Sequence, residues 1–202
     1  MLNSKSKIKK HFDSLKKPYS SESNWLWKFF RNREKKLFSQ LVQRLNKDDC
    51  LDLGAGSCEY SEILLQMGAK KAVCVDFSAE IMSLAHDSRI EKIISDVEEL
   101  NITGKYDLIL CLGVLEFLNK PKKFLLYLKK FLKPQGRIVL LLPLSSAGAW
   151  AYSLLYFLKG SSLSPLTLKK INRFLIKNNF TLEKIEPASF FSGFSIYSVK
   201  TL

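Results

Sequence analysis

The stretch CLDLGAGSCEYSEIL, Cys50 to Leu64, decides the fold. An apolar strand-like run, Cys50–Leu53, meets Gly54 and Gly56, and Ser57–Met67 then reads as a helix. Glycines at such a turn let a ligand touch the backbone. A triphosphate-binding loop needs GxxxxGK followed by Ser or Thr, which is absent here. A dinucleotide fingerprint fits better: Gly54 and Gly56 match its first two glycines, and Asp76 sits 20 residues past Gly56 as a ribose-binding acid. Its third glycine position, however, holds Glu59. A carboxylate at a helix N-terminus repels a pyrophosphate. The ligand expected is a nucleoside without phosphates.

Outward from this turn, strand-like and helix-like segments alternate. Lys71–Asp76 reads as a strand and Ala79–His86 as a helix. Ile90–Asp96 and Tyr106–Gly113 read as strands, Pro121–Leu132 as a helix, and residues 134–143 as a Gly-turned strand. Ser164 and Pro165 open a further helix, with Leu168, Ile171 and Leu175 on one face. The tail reads as two last strands, separated by Pro187 and Gly193. Apolar strands alternating with helices predict an α/β fold: a Rossmann-like, doubly wound, mostly parallel sheet of about seven strands, the last antiparallel.

At 202 residues, with 47% hydrophobic and 25% charged residues, the chain has the length and composition of one globular domain. Cys50, Cys58, Cys74 and Cys111 form no CxxC pair, and only His11 and His86 could join them, so buried free thiols and no metal are expected. No secretory signal is visible at the start, and the cytoplasm is the expected compartment. Residues 138–158 carry no charge, but Pro143, Ser145, Ser146 and Gly148 interrupt them; they read as a strand followed by an apolar surface segment.

The net charge of +13 is uneven: residues 1–47 hold 13 Lys/Arg against three acids, and residues 48–202 hold 19 against 16. The basic excess is thereby assigned to the N-terminal arm and not to the domain body. Residues 3–17 read as a basic helix ending near Pro18. From Asn24, an amphipathic helix places Leu26, Phe30, Leu37, Leu41 and Leu45 on one stripe. Trp25, Trp27, Phe29 and Phe30 suit a lid or a membrane-interface anchor. Residues 1–46 are therefore expected to form a basic helical arm and lid, and residues 47–202 the domain.

LDLGAGSCEYSEIL, AVCVDFSAEIMSLA, IISDVEEL, YDLILCLGVLEFLNKP and LKKFLKPQGRIVLLLP occur in that order. Together they resemble the successive signatures of class I S-adenosylmethionine-dependent methyltransferases, in the branch of the ubiquinone/menaquinone C-methyltransferases and magnesium-protoporphyrin O-methyltransferases. The resemblance covers residues 47–143, and 144–202 more loosely. It implies a methyltransferase that binds S-adenosyl-L-methionine. Asp52, through its carboxylate or by shaping the loop, and the Gly54–Ala55–Gly56 backbone would meet the amino-acid end, Asp76 the ribose hydroxyls, and Phe77 and Met82 the adenine. Asp96 would accept from the exocyclic amine, the Val97 N–H would meet a ring nitrogen, and Leu112 would line the methionine end. Each has a structural alternative: Asp76 and Asp96 as caps, Met82 as core. Cys58 stands where the family usually has Gly, and a side chain there is expected to narrow the cleft.

Methyl transfer rests on alignment and desolvation, sometimes with a base. Where related enzymes often read LEH, this chain reads Leu115–Glu116–Phe117, which leaves Glu116 as the catalytic candidate; a structural carboxylate is the alternative. No Asp/Asn-Pro-Pro-Tyr/Phe signature for nucleobase amino methylation is present. Residues 145–163 are expected to be an apolar, aromatic substrate-side insert and favour a small apolar or aromatic acceptor, with contact at an anionic membrane surface as a further expectation. An RNA or protein methyltransferase using the basic arm is the rival reading, and a non-catalytic cofactor-binding scaffold the third; no stacking-platform signature supports nucleic acid.

Overall fold

A computed structural model describes residues 25–143, 168–188 and 192–199. The expected helix over 3–17, the Asn24 cap, the insert at 145–163 and the Ser164–Pro165 helix start lie outside the described residues.

Seven strands form one sheet: β1 (Asp49–Leu53), β2 (Lys71–Asp76), β3 (Ile90–Ile94), β4 (Tyr106–Leu112), β5 (Leu132–Pro143), β6 (Phe180–Pro187) and β7 (Ser192–Val199), in the order β3-β2-β1-β4-β5-β7-β6. β1 to β5 pair in parallel, and β7 runs antiparallel to both β5 and β6. The helices are α1 (Trp25–Val42), α2 (Glu59–Gln66), α3 (Ala79–Met82), α4 (Pro121–Leu128) and α5 (Leu168–Lys177).

The apolar strands bury both faces. One core joins Leu51, Leu53, Val73, Val75, Ile109, Ile138 and Leu140 to Phe124 and Leu128 of α4 and to Ile171 and Leu175 of α5. The other joins Cys50, Ala72, Cys74, Leu108, Val139 and Ile196 to Leu64 and Leu65 of α2 and to Phe38, Leu41 and Val42 of α1. Two-sided burial is why these strands read as continuous apolar runs.

Three elements depart from expectation. α3 ends after one turn, at Met82, where i−4 bonding gives way to i−3 turns, Leu84 N–H to the Ile81 carbonyl at 3.1 Å and Ala85 N–H to the Met82 carbonyl at 3.3 Å. β5 starts at Leu132, ahead of the expected Gly turn; Gln135 takes φ +63° and the pairing with β4 slips between Tyr106 and Leu108. Gly136 is needed there, because a Cβ would lie 2.9 Å from the Tyr106 carbonyl oxygen.

α1 buries Phe38, Leu41 and Val42, with Leu37 and Leu45 at the margin. The buried face is rotated from the expected stripe toward Phe38 and Val42; it also takes in Glu34, which accepts from the Tyr60 hydroxyl and pairs with Arg31 at 2.6 Å. Arg31 also lies 5.6 Å from the centre of the Tyr60 ring. α1 is thereby keyed to the start of α2, where Lys35 pairs with Glu59 at 2.8 Å. Among the described residues no helix is long and apolar enough to cross a membrane.

Candidate active site

In an open α/β sheet, ligands bind beyond the carboxyl ends of the strands where the strand order reverses. Here that point lies between β1 and β4, flanked by the loops that follow them.

The loop after β1 is held from below. Gly54 and Ala55 both donate to the Val75 carbonyl, at 2.7 and 3.1 Å, and Cys58 N–H donates to the Ala55 carbonyl at 2.8 Å. Gly56 donates to Asp76 Oδ2 at 2.9 Å. Four of the five backbone N–H groups from 54 to 58 are thus committed within the protein. A phosphate needs such donors aimed at itself, so the loop is built for a ligand without one.

Glu59 does not carry that exclusion in the way the sequence suggested. It is engaged by Lys35 and by Arg31 of α1, which offsets its charge. The committed N–H groups are the stronger reason.

The two glycines serve different needs. Gly54 has φ +68°, and a Cβ there would stand 2.3 Å from Val114 Cγ2, so its constraint comes from this chain's own β4 loop and not from a ligand alone. Gly56 has φ +53° and only an ordinary contact with Ile81, so its conformation is the constraint. Val114 is a site residue that the motif reading missed; nothing in the sequence marks its approach to Gly54.

Asp76 closes β2. Its Oδ1 accepts from Ser78 N–H at 2.9 Å while Oδ2 holds Gly56. Ser95 N–H donates to the Asp76 carbonyl at 2.9 Å, which brings the end of β3 alongside. Asp96 then caps a single 3-10 turn, Val97–Glu99, by accepting from Glu98 N–H at 2.9 Å. Phe77 is half-buried beside Asp76, and the Val97 side chain is buried. Leu112 ends β4 half-buried, followed by Gly113 at φ +69°.

Three expectations change. Asp52 points into the core under α2, where it accepts from Ser61 Oγ at 2.7 Å; of its two expected roles, only shaping the loop agrees with this placement. Burial pushes its carboxyl up to about 7. Met82 has no exposed surface and packs with Cys74, Leu64 and Ala85, so it is core and not an adenine contact. Cys58 has no exposed surface either, and its Sγ lies 3.8 Å from the Gly56 carbonyl oxygen, under the loop and away from the cleft. It does not narrow the cleft. It adopts φ +60° as the residue before α2, a left-handed conformation that glycine would take more easily.

Glu116 lies in the 3-10 turn Leu115–Phe117 after β4. It is buried, and its Oε2 has no hydrogen-bond partner among the described residues. Desolvation raises the carboxyl to about 7, with a backbone N–H of the same residue opposing part of the shift. The site therefore gathers the carboxylates of Asp76, Asp96 and Glu116 near the carboxyl edge of the sheet. Such a set suits a ligand that carries positive charge. Among the described residues no group of three or more His, Cys, Asp or Glu is placed to hold a metal ion.

Comparison with known proteins gives the same class. Residues 51–140 match the methyltransferase-domain family. The chain is 27% identical over 150 residues to the malonyl-[acyl-carrier protein] O-methyltransferase of Priestia megaterium, covering 69% of this chain and 52% of that one. It is 32% identical over 99 residues to the mitochondrial ubiquinone biosynthesis O-methyltransferase of Schizosaccharomyces pombe, covering 45% and 36%. The chain thus spans about a third to a half of the length of these curated relatives. In structure it is similar to the magnesium protoporphyrin IX methyltransferase of Synechocystis PCC 6803 crystallised with S-adenosylhomocysteine, with TM-score 0.74 and 18% identity over 98% of this chain and all of that one. Residues 51–140 thus carry a methyltransferase domain, on a fold similar to that of a methyltransferase crystallised with S-adenosylmethionine and with S-adenosylhomocysteine.

Proposed function

We propose that this protein binds S-adenosyl-L-methionine at the β1–β4 crevice and moves its methyl group to a small, apolar or aromatic acceptor. The observation that carries the reading is the Gly56–Asp76 bond at the switch point. A carboxylate can accept about four hydrogen bonds, so holding the loop and accepting both ribose hydroxyls are compatible for Asp76. Asp96 accepts from the adenine amino group, the Val97 N–H meets the ring, and Phe77 covers its face. Gly54, Ala55 and Gly56 present backbone to the amino-acid end, Asp52 shapes that loop from beneath, and Leu112 lines the methionine end. The cofactor supplies a methyl group activated by its sulfonium.

Glu116 is the proposed general base. With its carboxyl near 7, an appreciable fraction is ionised at neutral pH, and its bare Oε2 can take the acceptor's proton. The names of the two curated relatives support an oxygen atom as acceptor. In this reading residues 1–46 are the lid, residues 47–202 the cofactor-binding domain, and residues 145–163 the acceptor side. The protein works in the cytoplasm and meets its apolar acceptor at an anionic membrane surface. The Trp25–Phe30 cluster and the aromatic insert support that part.

The test is transfer of labelled methyl from the cofactor to a panel of catechols, whose hydroxyl has a proton for Glu116 to take, with apolar carboxylic acids, already ionised at neutral pH, as the acceptors that need no base. Glu116→Gln should lower kcat by about a hundredfold or more while cofactor affinity holds. Loss of transfer with equal loss of cofactor binding would make Glu116 structural. No transfer from a wild type that binds cofactor would favour the scaffold reading.

A further inference from the structure

The domain body is close to neutral overall, yet its charges are segregated. Residues 119–133 and 164–179 hold ten of the 19 basic residues of 48–202 and none of its 16 acids. Of the ten, Lys133 on β5 is paired with Asp49 and Asp107. One acid from outside these segments, Glu98, accepts from Asn119 and from the Lys120 N–H where α4 begins. These segments contain α4 and α5, which lie side by side on one face of the sheet. Lys122 Nζ sits 5.4 Å from the centre of the Phe174 ring, and Lys129 Nζ donates to the Asn178 carbonyl at 2.5 Å. Lys120, Lys122, Lys123 and Lys130 on the α4 side, and Lys169, Lys170, Arg173 and Lys177 on α5, are exposed. At 100° per residue the four α5 cations share an arc of about 120° with Ile176.

Ile176 is 46% exposed. Ile185, 41% exposed, lies on the edge strand β6, where the bulge between Leu182 and Lys184 turns it to the side of the sheet that carries α4 and α5. The neighbouring acids of β6 have partners: Glu183 pairs with Arg137 and Glu186 with Lys184. Single exposed apolar residues are ordinary; two beside an acid-poor basic face are a combination that an anionic bilayer matches, with cations for headgroups and isoleucines for the interface. Nucleic acid fits less well. Single strands are gripped by stacking on open aromatic faces, and the aromatic rings here, Phe174 and Tyr127, lie under the Lys122 and Lys130 ammonium groups.

We propose that the α4–α5 face is a docking surface for an anionic lipid bilayer. It differs from the N-terminal arm, whose described part, α1, packs on the opposite face of the sheet. α4 follows β4, and α5 precedes β6, which runs parallel to it. Both helices therefore begin at the carboxyl edge of the sheet, the edge on which the crevice opens. This goes beyond the methyl-transfer reading and fails or stands separately from it.

The experiment is co-sedimentation of the full chain with phosphatidylcholine vesicles, with and without phosphatidylglycerol, across a salt series. The comparison set is K169Q/K170Q/R173Q/K177Q, an arm variant K5Q/K7Q/K9Q/K10Q, and Ile176→Ser. Thermal melting and S-adenosylhomocysteine binding verify that each variant is folded. The wild type should bind only the anionic vesicles. The α5 variant should weaken that binding by at least about tenfold and flatten its salt dependence, the arm variant much less. Ile176→Ser should weaken it severalfold at high salt. Absent wild-type binding overturns the proposal, as does an α5 variant that binds like wild type. So does a loss confined to the arm variant, or tighter binding of polyuridylate than of vesicles through the same α5 cations.

Discussion

Gly56 N–H and Asp76 Oδ2, 20 residues apart in the chain, meet at 2.9 Å and tie the loop after β1 to the end of β2. The bond makes one carboxylate at the end of β2 a clamp on the glycine loop. It also removes the donor that a pyrophosphate would seek.

Asp76→Asn keeps the side-chain size and loses the charge. Each hydrogen bond to a charged group contributes about 1.5–3 kcal/mol. Titration with S-adenosylhomocysteine should therefore show a loss of about ten- to a hundredfold in affinity. A change below about twofold would remove Asp76 from the ribose-binding role.

Gly54→Ala should fail for a reason internal to the chain. The new methyl would overlap Val114 Cγ2 and the residue would be held at φ +68°. The two costs together are about 2–5 kcal/mol. Val114→Ala in the Gly54→Ala background should recover the packing share, about 1–3 kcal/mol, in denaturant unfolding. Additive losses would place the strain elsewhere.

The fold was legible because its signals are local. Buried parallel strands such as Lys71–Asp76 and Tyr106–Leu112 are unbroken apolar runs, and glycines or prolines punctuate them. Of the candidate site, the sequence marked only positions with a backbone requirement, Gly54 and Gly56 at positive φ, and the acid that ends a strand, Asp76. The direction of Asp52 depends on Ser61, nine residues on, across the β1–α2 packing. The burial of Met82 depends on tertiary packing with Leu64 of α2 and Cys74 of β2, and the Gly54–Val114 approach on two loops meeting across the sheet. The charge balance of residues 48–202 hid the basic α4–α5 face because summing over a segment discards which surface each charge occupies.

Cys58→Gly tests whether the departure at this position touches the cofactor. The thiol lies under the loop, so affinity for S-adenosylhomocysteine should change by less than about threefold. A gain above about tenfold would return the side chain to the cleft.

The pH dependence of stability follows from the buried acids. Glu116 and Asp52 have folded-state values raised to about 7, so the folded state holds more protons than the unfolded chain between about pH 4 and 7. Their contribution to stability is full below the unfolded values and is lost as pH rises through 7. Glu116→Gln removes its own share. Relative to wild type, its unfolding free energy should rise between pH 5 and 8, by up to about 3 kcal/mol. A pH-independent difference would show that Glu116 is not desolvated.

Isothermal titration calorimetry with S-adenosylhomocysteine and, separately, with NAD weighs the central claim most directly. The account predicts one saturable site for the former, weakened by Asp76→Asn, and no heat for the latter. Silence with both S-adenosylhomocysteine and S-adenosylmethionine, together with saturable heat from NAD, would contradict it.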